Sequence, residues 1–258
     1  MLLAVDIGNT NIVFGCVHDQ DEIIISERIS TNHNATAAEY ASTIKGILEM
    51  NSFNPNEIEN AVMSSVVPSV TNTIKEAIKK LFKTEVMLAG PGVKTGLNIL
   101  IDNPGQLGSD QVADAVAAIN QYPVPQIIID MGTATTVSVV DKNKGYLGGL
   151  IMTGMAVATD ALITRTAQLP KVNFEVPDKI IGTNTTDSIK SGMLYSNACA
   201  LDGIIERIEE ELGDKCTVIS TGGLAELVTP LCRKDIIYDR DLLIKGLTII
   251  YRKQKRRK

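Results

Sequence analysis

Asp6-Ile7-Gly8-Asn9-Thr10-Asn11 follows the apolar run Leu2-Leu3-Ala4-Val5, and Asp130-Met131-Gly132-Thr133-Ala134-Thr135-Thr136 follows Gln126-Ile127-Ile128-Ile129. Both stretches read as a strand, an Asp, one residue, a Gly and then small polar residues, and they stand nearly half a chain apart. Gly8 removes a side chain from the turn. Its backbone N–H groups and the Asn9, Thr10 and Asn11 side chains can then bond phosphate oxygens. The carboxylate itself repels phosphate, so its role is to hold Mg²⁺, directly or through water, with the metal bridging to the phosphates. Asn-Thr-Asn is also ordinary turn chemistry. It is the second copy, at the same place in a second half, that turns the reading toward phosphate.

A repeat of this size predicts two similar domains, each a β-meander followed by α/β units. Strands are expected at Leu2–Ile7, Asn11–Val17 and Glu22–Arg28, because a turn, not a helix, follows the first of them. Helices are expected over Ala37–Met50 and Val70–Phe82, with strands at Ala61–Val67 and Glu85–Leu88. Gly90-Pro91-Gly92 opens a loop that runs to Gly108, and Ser109 caps a helix from Asp110 to Tyr122. The second half repeats the order with strands at Gln126–Asp130, Val137–Asp141 and Gly145–Ile151. Residues from Met155 to Leu212 read as mostly helical, interrupted near Leu169-Pro170 and Ile180–Thr186. A core strand Thr217–Ser220 leads into Thr221-Gly222-Gly223, where two glycines let the backbone approach a flat ring or a ribose. Leu242–Arg252 reads as the closing helix. The domains are expected at residues 1–117 and 118–258, with the closing helix able to pack back on the first.

The rest of the composition narrows the function. The chain has 258 residues, 44% apolar and 21% charged, enough for a buried core without disulfides or a structural metal. No apolar stretch is long enough for a membrane span, and the start lacks a basic, apolar leader. Cys16, Cys199, Cys216 and Cys232 form no Cys-x-x-Cys pair, and His18 and His33 are the only histidines. That argues against a zinc site and for a reducing, cytoplasmic setting, and leaves acid–base work to carboxylates. The net charge is −5, yet Arg252-Lys253-Gln254-Lys255-Arg256-Arg257-Lys258 is strongly basic. Such a tail can attract nucleic acid or anionic lipid. With an acidic body and no aromatic-basic surface it reads instead as a solvated terminus, and neither nucleic acid nor membrane is expected as a partner.

Two phosphate hairpins and a late glycine pair resemble the actin-like (ribonuclease H-like) fold shared with sugar kinases. No P-loop sequence occurs. A narrower resemblance rests on Asp6-Ile-Gly-Asn-Thr-Asn11, Gly90-Pro-Gly-Val-Lys-Thr-Gly-Leu97, Asn103-Pro104, Gly108-Ser-Asp110, Asp130-Met-Gly-Thr-Ala-Thr-Thr136, Leu169-Pro170, Gly182-Thr-Asn-Thr185 and Ser191-Gly192. In this order they resemble type III pantothenate kinase over essentially the whole chain. The resemblance implies an α/β fold of two duplicated actin-like domains with ATP in an interdomain cleft. It also implies transfer of phosphate from ATP to the 4′-hydroxyl of pantothenate in coenzyme A synthesis, a homodimer, and a need for Mg²⁺ with a monovalent cation, K⁺ or NH₄⁺.

Residue by residue, the resemblance makes Asp110 the catalytic base. An Asp is equally at home at a helix start for structural reasons. Asp130 becomes the monovalent-cation ligand and Thr133 an ATP contact. Asp6, Ile7, Gly8, Asn9, Thr10, Asn11, Ile12 and Val13 become the first ATP loop, with Gly222 and Gly223 at the adenosine. Gly108, Ser109, Asp110, Gln111 and Thr185 become pantothenate contacts. The family pattern Gly-x-Asp-Arg is broken at Gln111, which donates hydrogen bonds but carries no charge. Losing a charge-assisted contact costs about 1.5–3 kcal/mol. Other departures fall at Ile101-Asp102, Ser138, Thr153-Gly154 and Tyr195-Ser196-Asn197. On these residues two other readings stand beside the kinase: a weakened homologue with a binding role, and a kinase for another small hydroxyl acceptor.

Overall fold

Every residue of the first strand, β1 (Leu2–Ile7), is buried. A strand buried on both faces belongs at the centre of a sheet with helices on each side. Residues 1–18, 20–90 and 92–255 are described by a computed structural model. Asp19, Pro91 of the Gly90-Pro91-Gly92 break and the last three residues of the basic tail lie outside them. After β1 come β2 (Asn11–Val17), β3 (Ile23–Ser30), α1 (Ala37–Met50), β4 (Asn60–Ser65), α2 (Pro68–Phe82), β5 (Val86–Leu88), β6 (Asn98–Ile99) and α3 (Ser109–Gln121). The second half adds β7 (Gln126–Met131), β8 (Ala134–Val140), β9 (Gly145–Thr153), α4 (Met155–Thr164), α5 (Thr185–Leu212), β10 (Thr217–Thr221), α6 (Ala225–Val228), β11 (Ile237–Tyr238) and α7 (Leu242–Lys255).

The chain divides into two compact units. The first holds Met1–Leu97, Asn103–Asn120 and the segment from Asp241 onward; the second holds Asn98–Asp102 and Gln121–Arg240. The first sheet has the order β3-β2-β1-β4-β5, and the second β11-β10-β7-β8-β9-β6. Without β6, the second order read backwards is β9-β8-β7-β10-β11, strand for strand the topology of the first. In both, the Asp-bearing strand pairs antiparallel with the next strand and parallel with the one beyond the crossover. The repeat seen in the sequence is a repeat of topology.

In the first unit, side chains alternate across β1. Leu3, Val5 and Ile7 join Tyr40, Ile44 and Leu48 of α1 and Ile74 and Ile78 of α2 in one core. Leu2 and Ala4 join Ala113 and Val116 of α3 and Ile244, Leu247 and Ile250 of α7 in another. Helix α1 starts at a capping box, in which Thr36 accepts from the Glu39 N–H and Glu39 reaches back to the Thr36 N–H. In the second unit Ile127, Ile129, Met131 and Val137 pack against Met155 of α4 and Leu194, Ala198 and Leu201 of α5. No helix of the described residues is long and apolar enough to cross a membrane.

The structure changes several expectations. Strand β8 begins at Ala134, so Ala134-Thr135-Thr136 is strand and not turn; a run of threonines favours extended backbone. The loop from Gly90 to Gly108 contains β6, a two-residue strand that pairs parallel with Gly145 and Tyr146. The breaks expected near Leu169-Pro170 and Ile180–Thr186 fall in one irregular stretch, residues 165–184, which carries no helix, so the helix expected between them is absent. Pro170 and Pro177 deny that stretch donors, and its few apolar residues lack helical spacing. The basic tail, read as solvated, is engaged as far as Lys255. Arg252 donates to the His18 carbonyl (2.8 Å) and pairs with Asp21. Lys253 donates to the Thr95 carbonyl, Gln254 to that of Lys94, and Lys255 to Asn60 Oδ1, each at 2.8 Å. These residues close the end of α7 over two loops and the start of β4 in the first unit.

Helix α7 crosses α3 at Gly246, where a Cβ would collide with the Ala113 carbonyl, carbon and Cα. Gly246→Ala is therefore expected to destabilise by about 1–3 kcal/mol, the range for overpacking. A fall in the urea midpoint with an unchanged slope checks this; an unchanged midpoint would mean that the helices part without strain.

Candidate active site

The first hairpin is built from backbone bonds. Ile7 pairs with Ile12, and the Gly8 N–H donates to the Asn11 carbonyl at 2.9 Å, which leaves Asn9 and Thr10 at the exposed tip. Strand β3 holds the tip from behind. The Thr31 N–H donates to the Thr10 carbonyl (2.8 Å), and the Thr31 hydroxyl to the Gly8 carbonyl (2.7 Å). A Cβ at Gly8 would sit 3.0 Å from the Asn11 carbonyl, so glycine suits this tight pairing. Ile7 and Ile12 are core residues, 0% and 1% exposed, so only their backbone can meet a ligand. Val13 is half-buried opposite Asp6.

Asp6 itself is buried at the end of the central strand, on the sheet face that α3 and α7 cover. The Ser64 hydroxyl donates to Asp6 Oδ1 from the parallel strand β4, where Asp6 and Ser64 are register partners. The sequence reading missed Ser64. Its one signal was a pair of serines closing the apolar run Ala61-Val62-Met63.

Asp110 is half-buried in the first turn of α3, the helix that covers the Asp6 face. Its Oδ1 accepts from the Gln111 N–H at 2.8 Å. The Val112 N–H donates to the Gly108 carbonyl at 3.0 Å. A Cβ at Gly108 would collide with the Asp110 carboxylate, so glycine leaves that side chain its place. Ser109 and Gln111 are half-buried beside it. One turn on, Asp114 is 3% exposed.

In the second unit the hairpin is one residue shorter. Met131 pairs with Thr135, and the Gly132 N–H donates to the Ala134 carbonyl at 3.1 Å. Thr133 stands exposed at the tip, and Asp130 is half-buried beneath it. Two glycines from distant segments press against this hairpin. Gly154, at the start of α4, donates its N–H to the Thr133 carbonyl at 3.2 Å, and a Cβ there would strike the Gly132 and Thr133 carbonyls. Gly222, just after β10, has φ +93°, and a Cβ there would sit 2.5 Å from Asp130 Oδ1 and 2.6 Å from the Met131 nitrogen. Thus Asp130, Thr133, Gly154 and Gly222 come together, and of these Gly154 had only been noted as a departure from the family pattern. Gly223 is exposed next to Gly222.

Thr185 is apart from that group, as the exposed first residue of α5, whose cap Asn184 accepts from the Asp187 N–H at 2.9 Å. Beside it, Glu175, Asp178, Lys179, Thr183, Asp187 and Lys190 line a cavity of about 360 Å³.

Thiol chemistry is poorly served. Burial pushes the Cys16 and Cys232 thiols up to about 12 and that of Cys216 to about 11. Tyr122, partly buried and bonded to Asp239 at 2.8 Å, is likewise raised to about 12 by burial, the hydrogen bond and the carboxylate charge. Among the described residues no group of three His, Cys, Asp or Glu side chains could hold a metal alone. Single carboxylates beside backbone and amide oxygens do fit Mg²⁺, which keeps its waters and takes one or two carboxylates plus the phosphates of its substrate.

The chain is similar to known proteins over its whole length. Residues 2–207 match the family model for type III pantothenate kinase. A type III pantothenate kinase of Exiguobacterium sibiricum is 40% identical over 255 residues, 99% of this chain and all of the relative. One of Halalkalibacterium halodurans is 38% identical over 253 residues, covering 98% and 99%. Among solved structures, a conserved Baf-family protein of Campylobacter jejuni, described as a candidate transcriptional activator, superposes with a TM-score of 0.59 at 20% identity, over 98% of this chain and 99% of its own. A protein of Sinorhizobium meliloti described as a candidate 2-dehydro-3-deoxygalactonokinase gives 0.56 at 12% identity, over 98% and 96%. The likeness to the kinase, with the duplicated sheets, shows the actin-like fold.

Gly222→Ala forces a side chain into a left-handed position against Asp130 and is expected to destabilise by about 1–3 kcal/mol. Gly192→Ala, in α5 with nothing within 4 Å, is expected to stabilise by up to about 1 kcal/mol through helix propensity. Thermal melts of both variants check the opposite signs; equal shifts would mean that the crowding at Asp130 is relieved without cost.

Proposed function

The chain belongs to the type III pantothenate kinase family, and from that premise we propose the reaction and the division of labour in its site. It is a kinase that transfers the terminal phosphoryl group of ATP to the 4′-hydroxyl of pantothenate, the first step of coenzyme A synthesis. The observation that carries the reading is the full-length match to the family in a chain whose two sheets each end their Asp-bearing strand in a glycine hairpin.

Phosphoryl transfer is mostly positioning and charge stabilisation. In this reading Asn9, Thr10, Asn11 and the backbone of residues 6–13 take phosphate oxygens, as does Thr133. Gly222 and Gly223 lie along the adenosine. Asp6 would hold Mg²⁺, directly or through water, and Asp130 would hold K⁺ or NH₄⁺. The chemistry Mg²⁺ supplies is neutralisation of charge on the phosphate oxygens. Asp110 takes the proton of the 4′-hydroxyl, which requires an ionised carboxylate within hydrogen-bond reach of it. What supports that role is its half-buried place at the start of α3, on the sheet face that carries Asp6. Gly108, Ser109, Gln111 and Thr185 hold pantothenate by hydrogen bonds.

We also read the protein as a cytoplasmic homodimer. Among the described residues β6 pairs only with Gly145 and Tyr146 of β9, and the strand beyond them exposes Leu147, Leu150 and Ile151, the last 77% exposed. An apolar strand edge of this kind favours cover by a partner.

Release of ADP, followed with and without pantothenate, tests the function; no pantothenate-dependent release at any K⁺ concentration would overturn it. Asp110→Asn is expected to lower kcat by about 10²–10⁴-fold, the usual worth of a general base, while ATP still binds in calorimetry. Near-normal turnover would remove the base assignment. Asp130→Ala is expected to flatten the K⁺ dependence of turnover, and an unchanged K⁺ titration would remove that role.

A further inference from the structure

We propose that Ser64 is the positioning residue for Asp6: its hydroxyl fixes the orientation of the carboxylate that would hold Mg²⁺ with ATP. Three observations carry this. Ser64 is 0% exposed, and it continues a strand whose preceding residues, Ala61, Val62 and Met63, are all core. A hydroxyl in such a place is unfavourable unless it is bonded, and here it donates to Asp6 Oδ1. The pairing is built into the sheet. Parallel strands in register put Asp6 and Ser64 side by side on one face, the face carrying Ala4 and Val62. Finally, the second unit has the same topological neighbour to its carboxylate, because Asp130 pairs with Thr221 of the parallel strand β10. There the close contact comes from Gly222, whose lack of a side chain leaves room for Asp130 Oδ1. Each unit thus has a close neighbour to its strand-end carboxylate on or just after the crossover strand, the Ser64 hydroxyl in one and the Gly222 backbone in the other.

The chemistry follows from the geometry of a carboxylate. Holding one oxygen fixes the plane of the group, and with it the direction of the other oxygen. Partners that orient a metal-binding group in this way are worth about 10- to 100-fold in metal affinity or activity. The inference rests on the kinase reading, in which Asp6 meets Mg²⁺ directly or through water.

The test is ATP binding by titration calorimetry across a range of Mg²⁺ concentrations, on wild type, Ser64→Ala, Ser64→Cys, Asp6→Asn and the double variant Asp6→Asn with Ser64→Ala. Ser64→Ala is expected to raise the Mg²⁺ concentration for half-maximal binding by about 10- to 100-fold. Ser64→Cys, close in volume but a weak donor, is expected to do nearly the same. In the Asp6→Asn background the Ser64 change is expected to have no further effect. Wild-type Mg²⁺ dependence in both single variants, or an equal effect with and without Asp6, would overturn the proposal. So would loss of folding in both Ser64 variants while Asp6→Asn still melts cooperatively, since Ser64 would then be a core residue only. If wild type binds no ATP at any Mg²⁺ concentration, the kinase reading itself fails, an outcome distinct from the others.

Discussion

A carboxylate at the end of a buried strand needs something to hold it, and the rest of this structure is arranged around two such groups. Ionised carboxylates are costly to bury without donors or cations. A strand end eases that burden, because the following turn exposes N–H groups and the ladder supplies a neighbour at a fixed spacing. Both Asp6 and Asp130 sit at such ends, each between an antiparallel hairpin partner and a parallel crossover strand. The crossover needs a helix on the sheet face, so the same connection that places Ser64 or Gly222 also builds the core. Site and core share one topology, and that is why the duplication carried both together.

The two copies have since diverged in ways that matter for chemistry. The first hairpin pairs Ile7 with Ile12, whereas the second pairs Met131 with Thr135 and is one residue shorter. The Gly154 backbone packs directly on the shorter turn, at the Gly132 and Thr133 carbonyls. The first turn keeps two exposed polar residues at its tip and is braced by Thr31. One hairpin offers side-chain amides and hydroxyls to a ligand, and the other offers a carboxylate ringed by backbone.

Much of this was legible in the sequence. The strand–Asp–x–Gly repeat predicts two sheets of like topology, and the burial of β1 on both faces follows from its unbroken apolar run. Period-2 and period-3.6 patterns locate β1, β2, α1 and the closing helix to within a few residues. What could not be read is whatever depends on register between distant segments. Nothing near Ser64 says that it will stand beside Asp6, because parallel pairing across a crossover is set by the helix between the strands. Gly154 looks like an ordinary turn glycine and Gly222 reads as one that lets backbone approach a flat ring or a ribose; nothing in the sequence shows that both press on the second hairpin. Strand β6 is too short to show a period at all. The basic end of α7 reads in the sequence as a solvated terminus, but Arg252, Lys253 and Lys255 spend their donors on carbonyl and amide oxygens of their own unit.

That last assignment bears on how the reaction manages charge. ATP brings several negative charges to a protein that is itself acidic. Near Asp110 the start of α3 reads Gly108-Ser109-Asp110-Gln111-Val112, with no Lys or Arg in it. Neither proposed phosphate hairpin contains a basic residue, and the cations at the end of α7 are already bonded to loops. In the proposed reading the kinase draws its positive potential from turn N–H groups and from the cations assigned to Asp6 and Asp130. Its catalysis then depends on how rigidly those two carboxylates are held more than on any cationic side chain. On the proposed reading, the neighbours of these carboxylates, Ser64 on one strand and Gly222 after another, belong to the catalytic design although neither touches the transferred phosphoryl group.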